Sequence, residues 1–70
     1  MIIEIRNDRK VIGYFGHWKE SGAPHLFPFA HQARTYSNRQ IAERYRKWVE
    51  TMGRHTGQIS RNAKAKIVNQ

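Results

Sequence analysis

The chain has 70 residues, a net charge of +8 and no cysteine. Its length predicts one domain, 1–70, with a modest core that buries about 60% of the surface of the unfolded chain. The absence of cysteine excludes disulfides, thiolate zinc sites and iron–sulfur clusters, and it fits a reducing compartment. No apolar run approaches the roughly 20 residues of a membrane span, and the first residues do not resemble a signal peptide. We therefore expect a soluble, cytoplasmic protein that does not bind membranes.

The positive charge is concentrated in the second half of the chain. Residues 1–33 hold four basic and three acidic side chains, whereas residues 34–70 hold nine basic and two acidic ones. The net charge is therefore +1 for residues 1–33 and +7 for residues 34–70. Such an asymmetry favours a polyanionic partner, although solubility alone is a second explanation.

A β-hairpin is predicted in the first part of the chain. Residues 2–6 alternate apolar and charged side chains, which is typical of a strand with one buried face. The polar run 7–10 predicts a turn, and the β-branched and aromatic run 11–18 predicts a second strand. A short third strand is predicted at 25–29, with Pro28 at a sheet edge or at a strand end because it has no backbone N–H to donate.

Two glycines interrupt the second predicted strand. Glycine inside a strand often marks a bulge or the close approach of another part of the chain. We expect Gly13 and Gly16 to allow a bend that packs Tyr14 and Phe15 onto the core.

One amphipathic helix is predicted at about 38–52. Ser37 is a suitable N-cap, Gln40 completes a capping box, and Gly53 follows as a stop signal. At about 100° per residue, a set of apolar side chains falls within an arc of about 120° that we expect to be buried. They are Ile41, Ala42, Tyr45, Trp48, Val49 and Met52.

The chain after the helix has two interpretations. Residues 54–64 are a polar, basic connector, and residues 65–70 form either a last strand or a disordered basic tail. We favour the strand, because a hairpin and one helix alone make a thin fold. The predicted fold class is therefore α+β, with a small antiparallel sheet packed against one helix. The small core also predicts a homodimer, through a sheet edge or an aromatic surface.

The sequence contains no recognisable catalytic constellation. The only aspartate, Asp8, lies in the predicted turn, and neither a nucleophile elbow nor a phosphate-binding glycine loop is present. Glu43–Lys47 and Arg46–Glu50 have the spacing of ordinary ion pairs on a helix. The histidines lack the spacing of a helical metal site. They are His17, His25, His31 and His55. We expect no enzymatic activity, no cofactor and no metal.

Nucleic acid is the partner that the charge distribution favours. Arginine outnumbers lysine eight to five, and its planar guanidinium suits phosphate. Neither a groove-reading helix pair nor a convincing set of stacking aromatics is visible, so we expect contacts to the backbone of DNA or RNA. Arg39 is expected to pair with Glu43 and to contribute little. The candidate contact residues are Arg34, Arg44, Lys47, Arg54, Arg61, Lys64 and Lys66.

A protein-interaction module is the alternative. Small hairpin-and-helix domains without catalytic residues often act as inhibitors or adaptors, including those of phages and mobile elements. The partner would then be an acidic protein surface, with Tyr14, Trp18 or Phe29 as interface anchors if they are exposed.

Overall fold

A computed structural model describes residues 1–69, which contain a four-stranded sheet, one α-helix and a short 3-10 turn. The elements are β1 (Ile2–Asn7), β2 (Lys10–Trp18), β3 (Pro24–Phe27), α1 (Arg39–Thr56) and β4 (Ala63–Val68). Neighbouring strands are antiparallel, in the order β3-β2-β1-β4. The predicted α+β class is confirmed, and the last strand forms where a disordered tail was the alternative. Gln70 lies outside the described residues. No helix in residues 1–69 has the length and apolar character needed to cross a membrane.

The first strand, β1, lies in the interior of the sheet. It pairs with β2 across the tight turn at Asp8 and Arg9, and with β4, where Ile2 is opposite Val68. Asp8 has a φ of 57°, a left-handed conformation that aspartate tolerates in turns. Because β1 has a neighbour on each side, all four residues from 2 to 5 are buried.

The core lies between the sheet and α1. Ile3, Ile5 and Phe15 are fully buried on the sheet side, and Ala42 and Val49 are fully buried on the helix side. Alternate residues of β4 belong to the same core, namely Ala63, Ala65 and Ile67. Alanines at two of these positions let the helix approach the strand closely.

The predicted irregularity in β2 is present at Gly16. The register of β2 against β3 shifts between Phe15 and His17, which is a β-bulge. Phe15 packs in the core as expected. Tyr14 does not, since it is paired with Glu4 on the sheet face opposite α1. A side chain at Gly16 would overlap the ring of Phe27, which lies directly against the glycine backbone.

The N-cap of α1 is Asn38, and the prediction of Ser37 was wrong. Asn38 Oδ1 accepts hydrogen bonds from the backbone N–H groups of Gln40 (2.9 Å) and Ile41 (3.2 Å). No side-chain hydrogen bond of Ser37 to the helix is present among the described residues. Sequence alone does not distinguish the two positions, because serine and asparagine are both good caps.

The predicted end of α1 at Gly53 was also wrong, because the helix continues to Thr56. Gly57, with a φ of 82°, is the left-handed C-cap. Gly53 stays helical and is buried against Ile59, whose backbone N–H donates to Gly53 O at 3.0 Å. Gly53 therefore permits a close contact and does not stop the helix.

The buried stripe of α1 is narrower than the predicted apolar arc. Ala42, Val49 and Gly53 are buried, but Ile41 is 48% exposed and Trp48 is 54% exposed. The rotation of α1 about its own axis brings its charged residues to β4. One side of the predicted apolar arc therefore lies beyond the sheet and is exposed to solvent. The expectation that the whole arc is buried was wrong at these two positions.

Charged side chains of α1 bind the backbone of β4. Arg54 Nη2 donates to Ala63 O at 2.8 Å, and Arg46 Nη1 donates to Ala65 O at 3.4 Å. Glu50 Oε2 accepts from the N–H of Ala65 at 2.8 Å and pairs with Arg54 at 3.0 Å through its other oxygen. β4 is an edge strand, so these bonds occupy backbone groups that another strand would otherwise use.

The predicted helix ion pairs are partly correct. Arg46 pairs with Glu50 at 3.7 Å, as expected. Glu43 pairs with Arg46 at 3.0 Å, and it forms no ion pair with Lys47 or Arg39 among the described residues. The Arg46 side chain lies between Glu43 and Glu50 because its guanidinium also binds the edge of β4.

The N-cap assignment is testable with neighbouring variants. Asn38→Ala should lower the free energy of unfolding by about 1 kcal/mol, because two helix N–H groups lose their acceptor. Ser37→Ala, also at an exposed position, should change it by less than about 0.5 kcal/mol. Urea unfolding followed by circular dichroism measures both values. A larger loss for Ser37→Ala would assign the cap to Ser37.

Gly53→Ala tests the contact between α1 and Ile59. In an exposed helix this change stabilises by about 1 kcal/mol, since alanine is the better helix former. Here the added methyl group overlaps the side chain of Ile59, so we expect destabilisation of about 1–3 kcal/mol. In a double-mutant cycle with Ile59→Ala, the two losses should be less than additive. Stabilisation by Gly53→Ala alone would contradict the contact.

Candidate nucleic-acid interface

The sheet face opposite α1, here called the back face, carries the main candidate site. Cross-strand pairing places Phe27, Tyr14, Glu4 and Lys66 in one row that runs from β3 to β4. Directly paired residues of antiparallel strands project to the same side of the sheet, so this row lies on one face. One end of the row is aromatic and the other is basic.

The basic end of the back face is built from β1 and β4. Arg6 is paired with Lys64, next to the pair of Glu4 and Lys66. Both lysines are exposed, whereas Ala65 between them points into the core. A groove of about 300 Å³ lies at this end, lined by Arg6, Asp8, Asn62, Lys64 and Lys66.

Further cations lie at the same end of the sheet. Asn7 is paired with Lys10 on one side and with Ala63 on the other, so the β1–β2 turn and the start of β4 are adjacent. The exposed side chains brought together there are Arg9, Lys10 and Arg61. Together with Arg6, Lys64 and Lys66 they are here called the basic cluster, six basic residues beside the two acids Glu4 and Asp8. Only Arg6, Lys64 and Lys66 of this cluster are placed on the back face by strand pairing. Lys10 is paired with Asn7, which is paired with the core residue Ala63, so Lys10 projects toward the α1 side at the rim of the sheet.

Glu4 is the one buried charged residue among the described residues, at 8% exposure. Its carboxylate accepts a hydrogen bond from Arg6 Nη1 at 3.0 Å, which balances its charge within the face. Arg6 Nη2 also donates to the backbone O of Arg9 at 3.3 Å, which connects β1 to the hairpin turn. Arg6 is therefore held in place, while both lysines remain exposed.

The aromatic end of the back face contains three rings in mutual contact. The rings of His17 and His25 stack with centroids 4.8 Å apart and planes at 27°. Phe27 lies 4.4 Å from His25 and 5.5 Å from His17 by ring centroids. His17 is exposed, and the other two rings are half-buried. These residues are here called the ring cluster.

The structure separates the seven predicted contact residues into three groups. Arg61, Lys64 and Lys66 lie together in the basic cluster. Arg44 and Lys47 are exposed on the outer side of α1, so the helix and the sheet separate them from the back face. Arg34 and Arg54 are each engaged in contacts within the fold. The predicted residues do not converge on one surface.

Arg34 and Arg54 have structural contacts. The guanidinium of Arg34 lies 5.8 Å from the ring centroid of Tyr36 and 5.7 Å from that of Tyr45, which are cation–π distances. Burial raises the pKa of the Tyr36 hydroxyl, the charge of Arg34 lowers it to a smaller extent, and Tyr45 raises it. Arg54 is bound to Glu50 and to the edge of β4. Its charge is therefore largely satisfied inside the fold.

Three members of the basic cluster were missed by the sequence reasoning. Arg6, Arg9 and Lys10 lie in the first half of the chain, whose charges nearly balance. Only the pairing of the first strand with the last brings Arg6 beside Lys64, and brings the turn that holds Arg9 and Lys10 to the same end of the sheet. The available signal was the alternation of small apolar residues and lysines after residue 62, which would have placed both lysines on one face of a strand.

A second exposed surface lies beside α1. Trp18 and Trp48 have ring centroids 5.5 Å apart, and a cavity of about 230 Å³ is lined by these two rings with Gly22 and Met52. Together with the exposed Ile41, these residues are here called the apolar strip. The strip is separate from the back face.

Two further findings concern metal binding and similarity to known proteins. The described residues contain no group of three or more His, Cys, Asp or Glu side chains placed to hold a metal ion. Comparison with protein-family models, with curated proteins and with solved structures finds no match to this chain.

Proposed function

We propose that this protein binds nucleic acid through the phosphate backbone, with the basic cluster as the contact surface. The observation that carries the proposal is the juxtaposition of Lys64 and Lys66 with Arg6 on the back face, beside the basic turn of Arg9 and Lys10. Arg61 extends the cluster at the start of β4. Exposed cations close to one another on a rigid sheet match the regular negative charge of a nucleic-acid strand.

The strength of such binding follows from counterion release. About four to six phosphate contacts give a log–log salt slope of roughly −4 to −5 on duplex DNA. Arg6, Lys64 and Lys66 lie on strands of a four-stranded sheet, which is too wide to enter the major groove as a helix or a two-stranded ribbon does, so little sequence preference is expected. The proposal thus concerns affinity for the backbone and not recognition of a sequence.

Two double variants with equal charge loss test this proposal. Lys64→Gln/Lys66→Gln should weaken binding to all sequences alike and reduce the magnitude of the salt slope by about 2. Arg44→Gln/Lys47→Gln removes the same charge from α1 and should leave the slope almost unchanged. Fluorescence anisotropy with labelled duplex, single-stranded DNA and RNA over a salt series gives the slopes.

Two results would contradict the proposal. Equal effects of the two double variants would show that only net charge matters, not the basic cluster. Affinity no tighter than millimolar at low salt on all three polymers would remove nucleic acid as the partner.

A protein-interaction module is the second candidate, because the apolar strip is exposed. Trp48 and Ile41 are large apolar side chains about half exposed on one helix, and Trp48 lines a cavity with Trp18 and Met52. Exposed aromatic residues beside a cavity are typical anchors of protein interfaces. The partner could be an acidic protein that contacts the strip and the nearby cations Arg44 and Lys47, or a second copy of this chain.

Trp48→Ala separates this candidate from the first. If the strip is an interface, the variant should lose the partner in a pulldown that survives nuclease treatment, or shift a dimer to monomer in sedimentation. Removal of a central interface tryptophan typically costs at least about 2 kcal/mol of binding. Binding to nucleic acid should be unchanged. A monomer at high micromolar concentration, together with a pulldown that empties on nuclease addition, would count against an interface at the strip.

A further inference from the structure

We infer that the nucleic acid bound by this protein is single-stranded, with bases stacked on the ring cluster while the basic cluster holds the phosphates. The inference rests on the proposed function and deepens it by naming the class of nucleic acid. The ring cluster and three members of the basic cluster, Arg6, Lys64 and Lys66, occupy the same face of one sheet, joined by the row of Phe27, Tyr14, Glu4 and Lys66.

The row from Phe27 to Lys66 gives a path for a strand that crosses the sheet. Adjacent strands lie about 4.8 Å apart, so the outer strands β3 and β4 are about 14 Å apart. A nucleic-acid strand running across the row would meet Lys66 at β4 and the rings at β2 and β3. Its phosphates and its bases would then be bound at opposite ends of one surface.

The ring cluster has features of a stacking surface. The imidazole rings of His17 and His25 are stacked on each other, and His17 is exposed. Phe27 is supported from below by Gly16, where the absence of a side chain lets the ring lie against the backbone. Every base has a π-face, so stacking on such rings tolerates any sequence. This agrees with binding that does not read a sequence.

The ring cluster gives no benefit with a duplex. Bases inside a double helix are stacked on one another, and their faces cannot reach rings that lie on a sheet. The basic cluster, in contrast, can contact the phosphates of a duplex as well as those of a single strand. A preference for single strands therefore reports on the ring cluster, and the salt slope reports on the basic cluster.

Phe27→Leu and His17→Ala test the inference. Leucine keeps an apolar side chain over Gly16 while removing the ring. His17 is exposed, so His17→Ala should leave the fold intact and provides the test if Phe27→Leu does not fold. Binding is measured by anisotropy with oligothymidylate, oligouridylate and a duplex of the same length, at one ionic strength and over a salt series. Trp48→Leu, an exposed aromatic residue on α1, is the matched control.

The wild-type protein should bind both single strands at least about tenfold more tightly than the duplex. Each ring variant should lose roughly 5- to 150-fold in affinity for single strands, which corresponds to the loss of one stacked base. The duplex affinity, the salt slope and the behaviour of Trp48→Leu should match those of the wild type.

The outcomes distinguish the inference from the proposed function. Equal affinity for duplex and single strands, with no effect of the ring variants, would overturn the inference while the salt slope of the lysine variants still supports backbone binding. Loss of duplex affinity in the ring variants equal to their loss of single-strand affinity would also overturn it. No binding to any of the three polymers would remove the proposed function itself.

Discussion

The contact between the charged side of α1 and the free edge of β4 determines much of this structure. Arg46, Glu50 and Arg54 lie along one side of the helix and bind backbone atoms of Ala63 and Ala65. Hydrogen bonds to charged groups stabilise by about 1.5–3 kcal/mol each when partly shielded from water, somewhat more than neutral ones. They fix the rotation of the helix about its axis and the position of the last strand. The two exposed helix residues Ile41 and Trp48 follow from that rotation.

Once β4 is fixed in this way, the two sides of the strand acquire different roles. Its alanines and Ile67 face the helix, and its lysines must then project from the back face beside Arg6. A shift of one residue in register would exchange these roles and bury both lysines. The edge contacts therefore hold the surface charge in position as well as the core. They also occupy backbone groups of β4 that would otherwise be available to pair with a strand of a second copy of the chain. The other edge strand, β3, and the apolar strip are not blocked in this way.

Much of the fold was predictable because it depends on local signals. Alternation in β1, the turn at 7–10 and the helical period of α1 are all visible in the sequence. The helix ends were not predictable, because Ser37 and Asn38 are comparable caps and a glycine at position 53 is a typical signal for the end of a helix. Only the packing of Ile59 against Gly53 explains why the helix continues. In the same way, Arg46 and Glu50 were expected only to pair with each other on the helix, since nothing in the sequence shows that a strand edge lies beside them.

The candidate site was predictable only in part, for a related reason. Arg61, Lys64 and Lys66 were identified from their high local charge, but their neighbours Arg6, Arg9 and Lys10 come from the other half of the chain. A charge count along the sequence cannot reveal a cluster that strand pairing assembles. The ring cluster was missed for the same reason, since His17 meets His25 and Phe27 only through the pairing of β2 with β3.

The pairing of Ile2 with Val68 also has a consequence for how the chain reaches this structure. Contacts between residues so distant in sequence are costly in chain entropy, and proteins rich in them fold more slowly than helical proteins of equal length. During synthesis, one side of β1 stays without its partner until the chain through Val68 has emerged from the ribosome. In that interval an apolar strand with an unpaired edge is open to aggregation. Glu4 interrupts its isoleucines and Arg6 follows them, and charged residues within or beside an apolar run make an unpaired strand less prone to self-association.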